Sequence, residues 1–318
     1  MGPNMYYYPY SEFLKNKYGE KVYKLPVNLP VTCPNRIAGR GCIFCAEPGT
    51  GFEAMDAQVP VAEQIIRTKE HISPKYKARL FIAYFQNYTN TFLPPESFRA
   101  YVTEAAKIKD IVEIAVSTRP DCITEEYLDI LQKVSREHQV EITVELGLQT
   151  VNYHTLEKIG RGHTLAAFID AVLMIRSYGF DICTHVILNL PWDDRSDCLE
   201  TARVLSALKV NAVKIHSLYV AKNTPLCEAY ENGTITLCSK EEYMERLICF
   251  LELLDPDMAV ERLFSRIPEK DAVFCNWGMS WWKLKDELTK EMERRGTYQG
   301  RTYGYLHGAA LHTLRDIR

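Results

Sequence analysis

Ala78-Arg-Leu-Phe-Ile-Ala-Tyr-Phe85 gives way at once to Gln86-Asn-Tyr-Thr-Asn-Thr91, and this passage from an apolar run to a polar turn decides the fold. A strand with one wet face alternates apolar and polar side chains. A run without that alternation suits a strand covered on both faces, the condition of parallel sheets. Working outward, similar runs stand at Val22 to Val31, Ile111 to Val116, Val140 to Leu146, Phe180 to Leu188 and Ala212 to Val220. Helical spacing fills the intervals: Pro60 to Ile72, a stretch opened by Pro94 and Pro95, one capped by Thr124, Thr164 to Tyr178 with Gly179 as its stop, and Arg195 to Lys209. Six strands alternating with helices read as βαβ units on a parallel sheet. They fall short of the eight units of a closed barrel. The expected fold is therefore α/β, an open partial (β/α)6 barrel, with a doubly wound sheet as the alternative. Beyond it, Thr236 to Leu254 reads as a long helix, Val260 to Phe264 as a short extended piece, and Trp281 to Arg295 as amphipathic. No linker rich in Gly, Pro or Ser intervenes, so residues 1–222 are expected to form the barrel and 223–318 a helical extension packed on it.

Composition narrows the class. With 318 residues, 47% of them hydrophobic and 25% charged, the chain has the makeup of a soluble globular protein. A net charge of −3 argues against a chain-wide nucleic-acid coat but leaves room for a basic patch on one face. No run is long enough to span a bilayer, and Met1 to Tyr8 carries neither a basic n-region nor an apolar h-region. A cytoplasmic location is expected, with no membrane partner and with the ten cysteines reduced, as ligands or core residues.

The cysteines that matter follow the first strand: Val31-Thr-Cys33-Pro-Asn-Arg-Ile-Ala-Gly-Arg-Gly-Cys42-Ile-Phe-Cys45. No fourth cysteine or histidine is near in sequence. Three thiolates can hold three irons of a [4Fe–4S] cubane and leave the fourth open. Zinc with a distant fourth ligand, or incidental thiols, fit the same spacing. What tilts the balance is the series of polar clusters at the carboxyl ends of the strands, where parallel α/β folds bind ligands. After the cysteines come Gln86, Asn87 and Thr89, then Ser117 and Arg119, Gln149 with Arg161, His185 with Asn189, and Lys214 with His216.

The chain resembles radical S-adenosylmethionine (SAM) enzymes of the YhcC/YtqA-like subfamily, relatives of Elongator protein three and of oxygen-independent coproporphyrinogen oxidase. The landmarks are Cys33-Pro-Asn-Arg with Cys42-x2-Cys45, Ala83-Tyr-Phe-Gln-x-Tyr-Thr-Asn-Thr91, Ser117-Thr-Arg-Pro-Asp-Cys122, Glu145-Leu-Gly-Leu-Gln149, Arg161-Gly-His163, His185-Val-Ile-x-x-Leu-Pro191, Lys214-Ile-His216, Glu261-Arg-Leu and Gln299-Gly300. The resemblance implies a partial barrel of the radical SAM type, and one [4Fe–4S] cluster on Cys33, Cys42 and Cys45. The open iron would chelate SAM, which one electron would cleave to methionine and a 5′-deoxyadenosyl radical that takes a substrate hydrogen.

By the same resemblance Phe44 presents its backbone to the adenine. Gln86, Asn87 and Thr89 stand in the turn that meets the methionine amino group, Ser117 where relatives carry a ribose-binding acid, and Gln149 and Arg161 toward the ribose and carboxylate. His185 faces the cofactor or is a satisfied core histidine. Cys122 is expected to be a core thiol. The leading substrate is transfer RNA, with the wobble-uridine group converted from 5-carboxymethylaminomethyl to 5-aminomethyl, and with flavodoxin or ferredoxin as electron donor. Candidate substrate residues are Tyr88, Asn90, His163, His216, Arg262 and Trp277, the last with ordinary packing as the plainer alternative. Two other functions stay open: a radical SAM enzyme acting on a small molecule or protein, and a non-catalytic zinc-stabilised nucleic-acid-binding protein.

Overall fold

A computed structural model describes residues 5–46 and 54–314. Among them, seven parallel strands form one sheet, and no strand lies out of sequence order: β1 (Val22–Val27), β2 (Leu80–Phe85), β3 (Ile111–Thr118), β4 (Glu141–Gln149), β5 (Asp181–Ile187), β6 (Ala212–His216) and, beyond a short β7 (Val220–Ala221), β8 (Ala259–Arg262). β7 pairs antiparallel with β9 (Ala272–Phe274) in a separate ribbon. A doubly wound sheet would reverse its strand order at a switch point. This one never does, and it curls into an open half-barrel.

Period-two alternation assigns the two faces. On the outer face Leu25, Phe81, Phe85, Ile114, Val144, Val186 and Val213 pack against Ile65, Phe98, Leu128, Phe168 and Leu205 of the surrounding helices. The inner face begins with Val22, Ile82, Ala115, Cys183, Ala212 and Ala259. The helix Tyr10–Tyr18 closes the amino end of the half-barrel, burying Tyr10 and Leu14 against that layer. It is tied there by Lys17 Nζ, 2.7 Å from Asp181 and 3.3 Å from Glu113, and by Tyr18 Oη, which donates to Glu113 at 2.6 Å.

Three expectations shift. The sixth strand stops at His216 instead of running to Val220, because Ser217 Oγ donates to Asn276 Oδ1 (2.6 Å) and the Leu218 N–H to Asn189 Oδ1 (2.6 Å), drawing the chain off the sheet. The long helix starts at Lys240, where Ser239 accepts from the Glu242 N–H. The short extended piece proves to be the seventh strand, so part of the expected extension completes the sheet. The helix Trp281–Arg295 buries Leu284, Leu288 and Met292 in the main core. Gln299 joins the two ends of the chain. Its amide accepts from the Tyr8 N–H and donates to the carbonyls of Asp255 and Met258, while its own N–H donates to Tyr6.

Candidate active site

The loop after β1 is fixed at both of its flanks. Fully buried Gln64 accepts from the Asn28 N–H and donates to the Asn28 carbonyl, each at 2.8 Å, which sets the exit from the strand. Cys33 then opens a short helical turn, Pro34–Ala38, and Gly41 (φ 83°) bends the chain back. Ile43 donates to Ile159 O and accepts from the Leu226 N–H, clamping the return.

Each of the three sulfurs meets a different guanidinium. Arg119 Nη1 lies 3.8 Å from Cys33 Sγ, Arg161 Nη1 3.7 Å from Cys42 Sγ, and Arg36 Nη2 3.7 Å from Cys45 Sγ. Asn35 Nδ2 adds a contact of 3.3 Å to Cys42. Burial pushes the Cys45 thiol up, against the pull of Arg36. Two glycines make this approach possible. A Cβ at Gly147 would strike the Arg161 guanidinium and come 2.8 Å from Gln149 Nε2; one at Gly162 would lie 2.6 Å from Asn35 Oδ1 and 3.0 Å from Arg119 Nη2. Arg161 is anchored by donating through Nε and Nη2 to the Gly147 carbonyl, and Arg119 grips Asp121 with a fork at 2.9 and 2.6 Å. Burial alone would raise the Asp121 carboxyl, but the Arg119 fork holds it below the usual range. A donor set of three thiols, each backed by a cation, suits a group that binds thiolates.

A second chamber adjoins the first. Phe44, Gln86, Gln149 and His185 line both, and the second adds Tyr84, Ile187, Lys214, His216, Ser217, Leu218, Tyr219, Arg262 and Ser265. Its floor is a closed ionic layer. Lys24 bonds both Glu145 and Glu261, and Lys214 lies 3.4 Å from Glu145 and 2.9 Å from Glu261. Burial would raise both carboxyls, yet the two lysines hold Glu145 well below its ordinary range and bring Glu261 down to about 2. His185 Nε2 lies 2.6 Å from Glu145, and His185 Nδ1 faces His216 Nε2 at 3.4 Å. Burial lowers the pKa of both histidines, which are therefore neutral at pH 7. Tyr84 Oη, pushed up to about 12 by burial, receives Lys214 and Ser117, each at 3.1 Å.

Of the sequence-derived candidates, Phe44, Gln86, Tyr88, Thr89, Ser117, Gln149, Arg161 and His185 line the first cavity together with the three cysteines. Gln149 does so from a left-handed backbone (φ 77°), a conformation that seldom holds a residue other than glycine and often marks a functional site. His216 and Arg262 line the second chamber. Four candidates line neither. Asn87 is buried behind the wall. Asn90 Nδ2 serves the backbone, donating to the Phe85, Asn87 and Ser117 carbonyls and so tying the turn after β2 to the end of β3. His163 sits under Arg161, with Nε2 3.0 Å from the Gly147 carbonyl, and burial and that arginine bring its pKa down to about 4. Trp277 packs on Tyr243 and Phe274 and donates to Cys238 O, the plain packing role. Cys122 is half-buried beside Asp121, not in the core. Sequence reasoning passed over Arg36, Lys24, Tyr84 and Tyr219. Lys24 carried a usable signal, a lone cation inside Val22-Tyr-Lys-Leu-Pro-Val27.

Comparison with known proteins adds a family. A family model described as the Radical SAM superfamily matches residues 27–205, and a Radical_SAM C-terminal domain model matches 210–294. The uncharacterized protein YtqA of Bacillus subtilis (strain 168) is 33% identical over 300 residues, 93% of this chain and 92% of its own length. A tRNA uridine(34) acetyltransferase of Methanocaldococcus jannaschii is 25% identical over 201 residues, 61% of this chain and 36% of that protein. Among solved structures, the archaeal Methanocaldococcus infernus Elp3 with an N-terminal deletion shares the fold, with a TM-score of 0.65 at 17% identity over 87% of this chain and 64% of that one.

Proposed function

The chain belongs to the radical SAM superfamily, and on that premise we propose that it modifies the wobble uridine of transfer RNA, converting 5-carboxymethylaminomethyl to 5-aminomethyl. As in the rest of the family its cofactors are a [4Fe–4S] cluster and SAM, which when bound supply a 5′-deoxyadenosyl radical after one-electron cleavage of the sulfonium. We assign Cys33, Cys42 and Cys45 as the cluster ligands. The observation that carries the site is the pairing of each of these sulfurs with its own guanidinium. Arg119, Arg161 and Arg36 each set a cation beside one sulfur, and the three cysteines line one cavity. The Gly147 carbonyl takes two of Arg161's donors and Cys42 Sγ faces a third at Nη1, so the N–H groups left over are the ones we assign to a SAM carboxylate. Gln149, Ser117 and the turn Gln86 to Thr89 supply neutral donors and acceptors for the rest of the nucleoside, and Phe44 covers it.

Two features support RNA as substrate. The chain is similar, over part of its length, to a protein named for action on a tRNA uridine. A third cavity shares Tyr84, Lys214 and Arg262 with the second chamber and is bordered by Lys21, Arg266, Lys285, Tyr7 and Tyr23, the cationic and aromatic mix that holds phosphates and unpaired bases. A cytoplasmic setting and a flavodoxin- or ferredoxin-like reductant complete the reading. No helix among the described residues is long and apolar enough to cross a membrane.

The test is incubation of reduced, reconstituted protein with SAM and transfer RNA bearing 5-carboxymethylaminomethyluridine, followed by nucleoside mass spectrometry. Appearance of 5-aminomethyluridine supports the reading. Unchanged RNA beside steady 5′-deoxyadenosine release would transfer the case to a small-molecule or protein substrate.

A further inference from the structure

Arg262 ends β8 and is half-buried in the second chamber, where its guanidinium makes no hydrogen bond or ion pair with another described residue. Its setting makes that unusual. Lys24 and Lys214 are answered by Glu145 and Glu261, two charges against two. His185 and His216 are neutral there, and Ser217, Tyr219 and Ser265 carry no charge at pH 7. Arg262 is thus the uncompensated charge in the lining, held in a partly desolvated place where a lone cation is unfavourable until an anion joins it.

The charge count also indicates the kind of anion. One guanidinium neutralises one negative charge, and its planar fork matches the two oxygens of a carboxylate. A phosphate monoester dianion would bring one charge too many into a chamber that also contains Phe44, Ile187 and Leu218, and the singly charged phosphodiesters of an RNA backbone are assigned to the basic side chains Lys21, Arg266 and Lys285 of the third cavity. Because Phe44, Gln86, Gln149 and His185 border both cavities, a molecule anchored at Arg262 presents its neighbouring atoms toward the cofactor side.

We infer that Arg262 anchors a carboxylate of the substrate, with the carbon next to that carboxylate turned toward the cofactor cavity. The inference rests on the proposed function for the identity of the substrate, since a carboxymethylamino group carries such a carboxylate, but its geometry can be tested separately.

The anchor test uses the full-length protein with its cluster reconstituted and SAM bound. The arginine reagent phenylglyoxal labels Arg262, with exposed Arg203 as the reference, and peptide mass spectrometry follows the labelling. N-benzylglycine is expected to suppress labelling at Arg262 and spare Arg203, whereas its amide does not protect. Equal protection by acid and amide, absence of protection, or protection by inorganic phosphate in place of the acid would each overturn the anchor. In RNA turnover, Arg262→Gln is expected to raise KM about 10- to 100-fold, the range lost with one charge-assisted contact, with SAM binding unchanged and partial recovery in Arg262→Lys. Wild-type protein that leaves the RNA unconverted counts against the proposed function. The protection assay needs no RNA and decides Arg262 in either case.

Discussion

The rim of the half-barrel and the ionic layer beneath it treat positive charge in opposite ways. In the layer, Lys24 and Lys214 meet Glu145 and Glu261, every partner comes from a strand, and the charges cancel. At the rim, Arg119 and Arg161 come from loops and Arg36 from the short helical turn after β1, and among their described neighbours only Asp121 answers them with a carboxylate. A closed ion network on strands holds a shape. An open one is poised for anions, which under the proposed function are three cluster-bound thiolates and the carboxylate of SAM. The difference sets the proposed site apart from the layer beneath it.

The contrast can be broken from either side. The largest effect is expected from Cys42→Ala, which removes the buried thiol facing Arg161 and Asn35. Iron content after anaerobic reconstitution and 5′-deoxyadenosine formation should both fall to background, while the chain remains folded by circular dichroism. Normal product formation by this variant would remove the cluster assignment.

Next is Lys214→Met, aimed at the layer. It leaves two buried carboxylates sharing Lys24, so a loss of roughly 3–5 kcal/mol is expected in denaturant unfolding. A loss under about 1 kcal/mol would mean that the layer is wetter than its geometry implies.

The smallest effect concerns His163, which lies between the two regions. Its folded pKa of about 4 is below the ordinary 6.5, so the neutral form is favoured by folding. That contribution, about 3 kcal/mol, is fully present above pH 6.5 and drains away as pH falls toward 4. His163→Gln should flatten the stability profile in this window, and parallel profiles for the two proteins would refute the assignment.

Much of this was legible in the sequence because strands and ligands leave local marks. The apolar run Ala78 to Phe85 announced a strand buried on both faces, and the polar residues just past each strand end marked the mouth of the sheet. Two things left no such mark. Asn90 and His163 carry the same polarity as neighbours that do line the cavity, and only the turn geometry after β2 and the seat under Arg161 assign them to the backbone. The ionic layer joins residues from β1, β4, β6 and β8, about 240 positions apart at the extremes (Lys24 to Glu261). Each of those residues alone reads as an odd charge in an apolar strand, and pairing them needs the curl of the sheet.

The stitch at Gln299 makes the last strand of the sheet depend on partners remote in sequence. The side-chain amide of Gln299 accepts from the Tyr8 N–H, 291 positions away, and its backbone N–H donates to the Tyr6 carbonyl. β8 is bracketed by the same contacts: Val260 donates to Tyr8 O, and Gln299 holds the carbonyl of Met258 just ahead of the strand. The β8 edge of the curled sheet is therefore covered only when segments remote in sequence have come together, and a chain in which they have not leaves that edge open to mispairing.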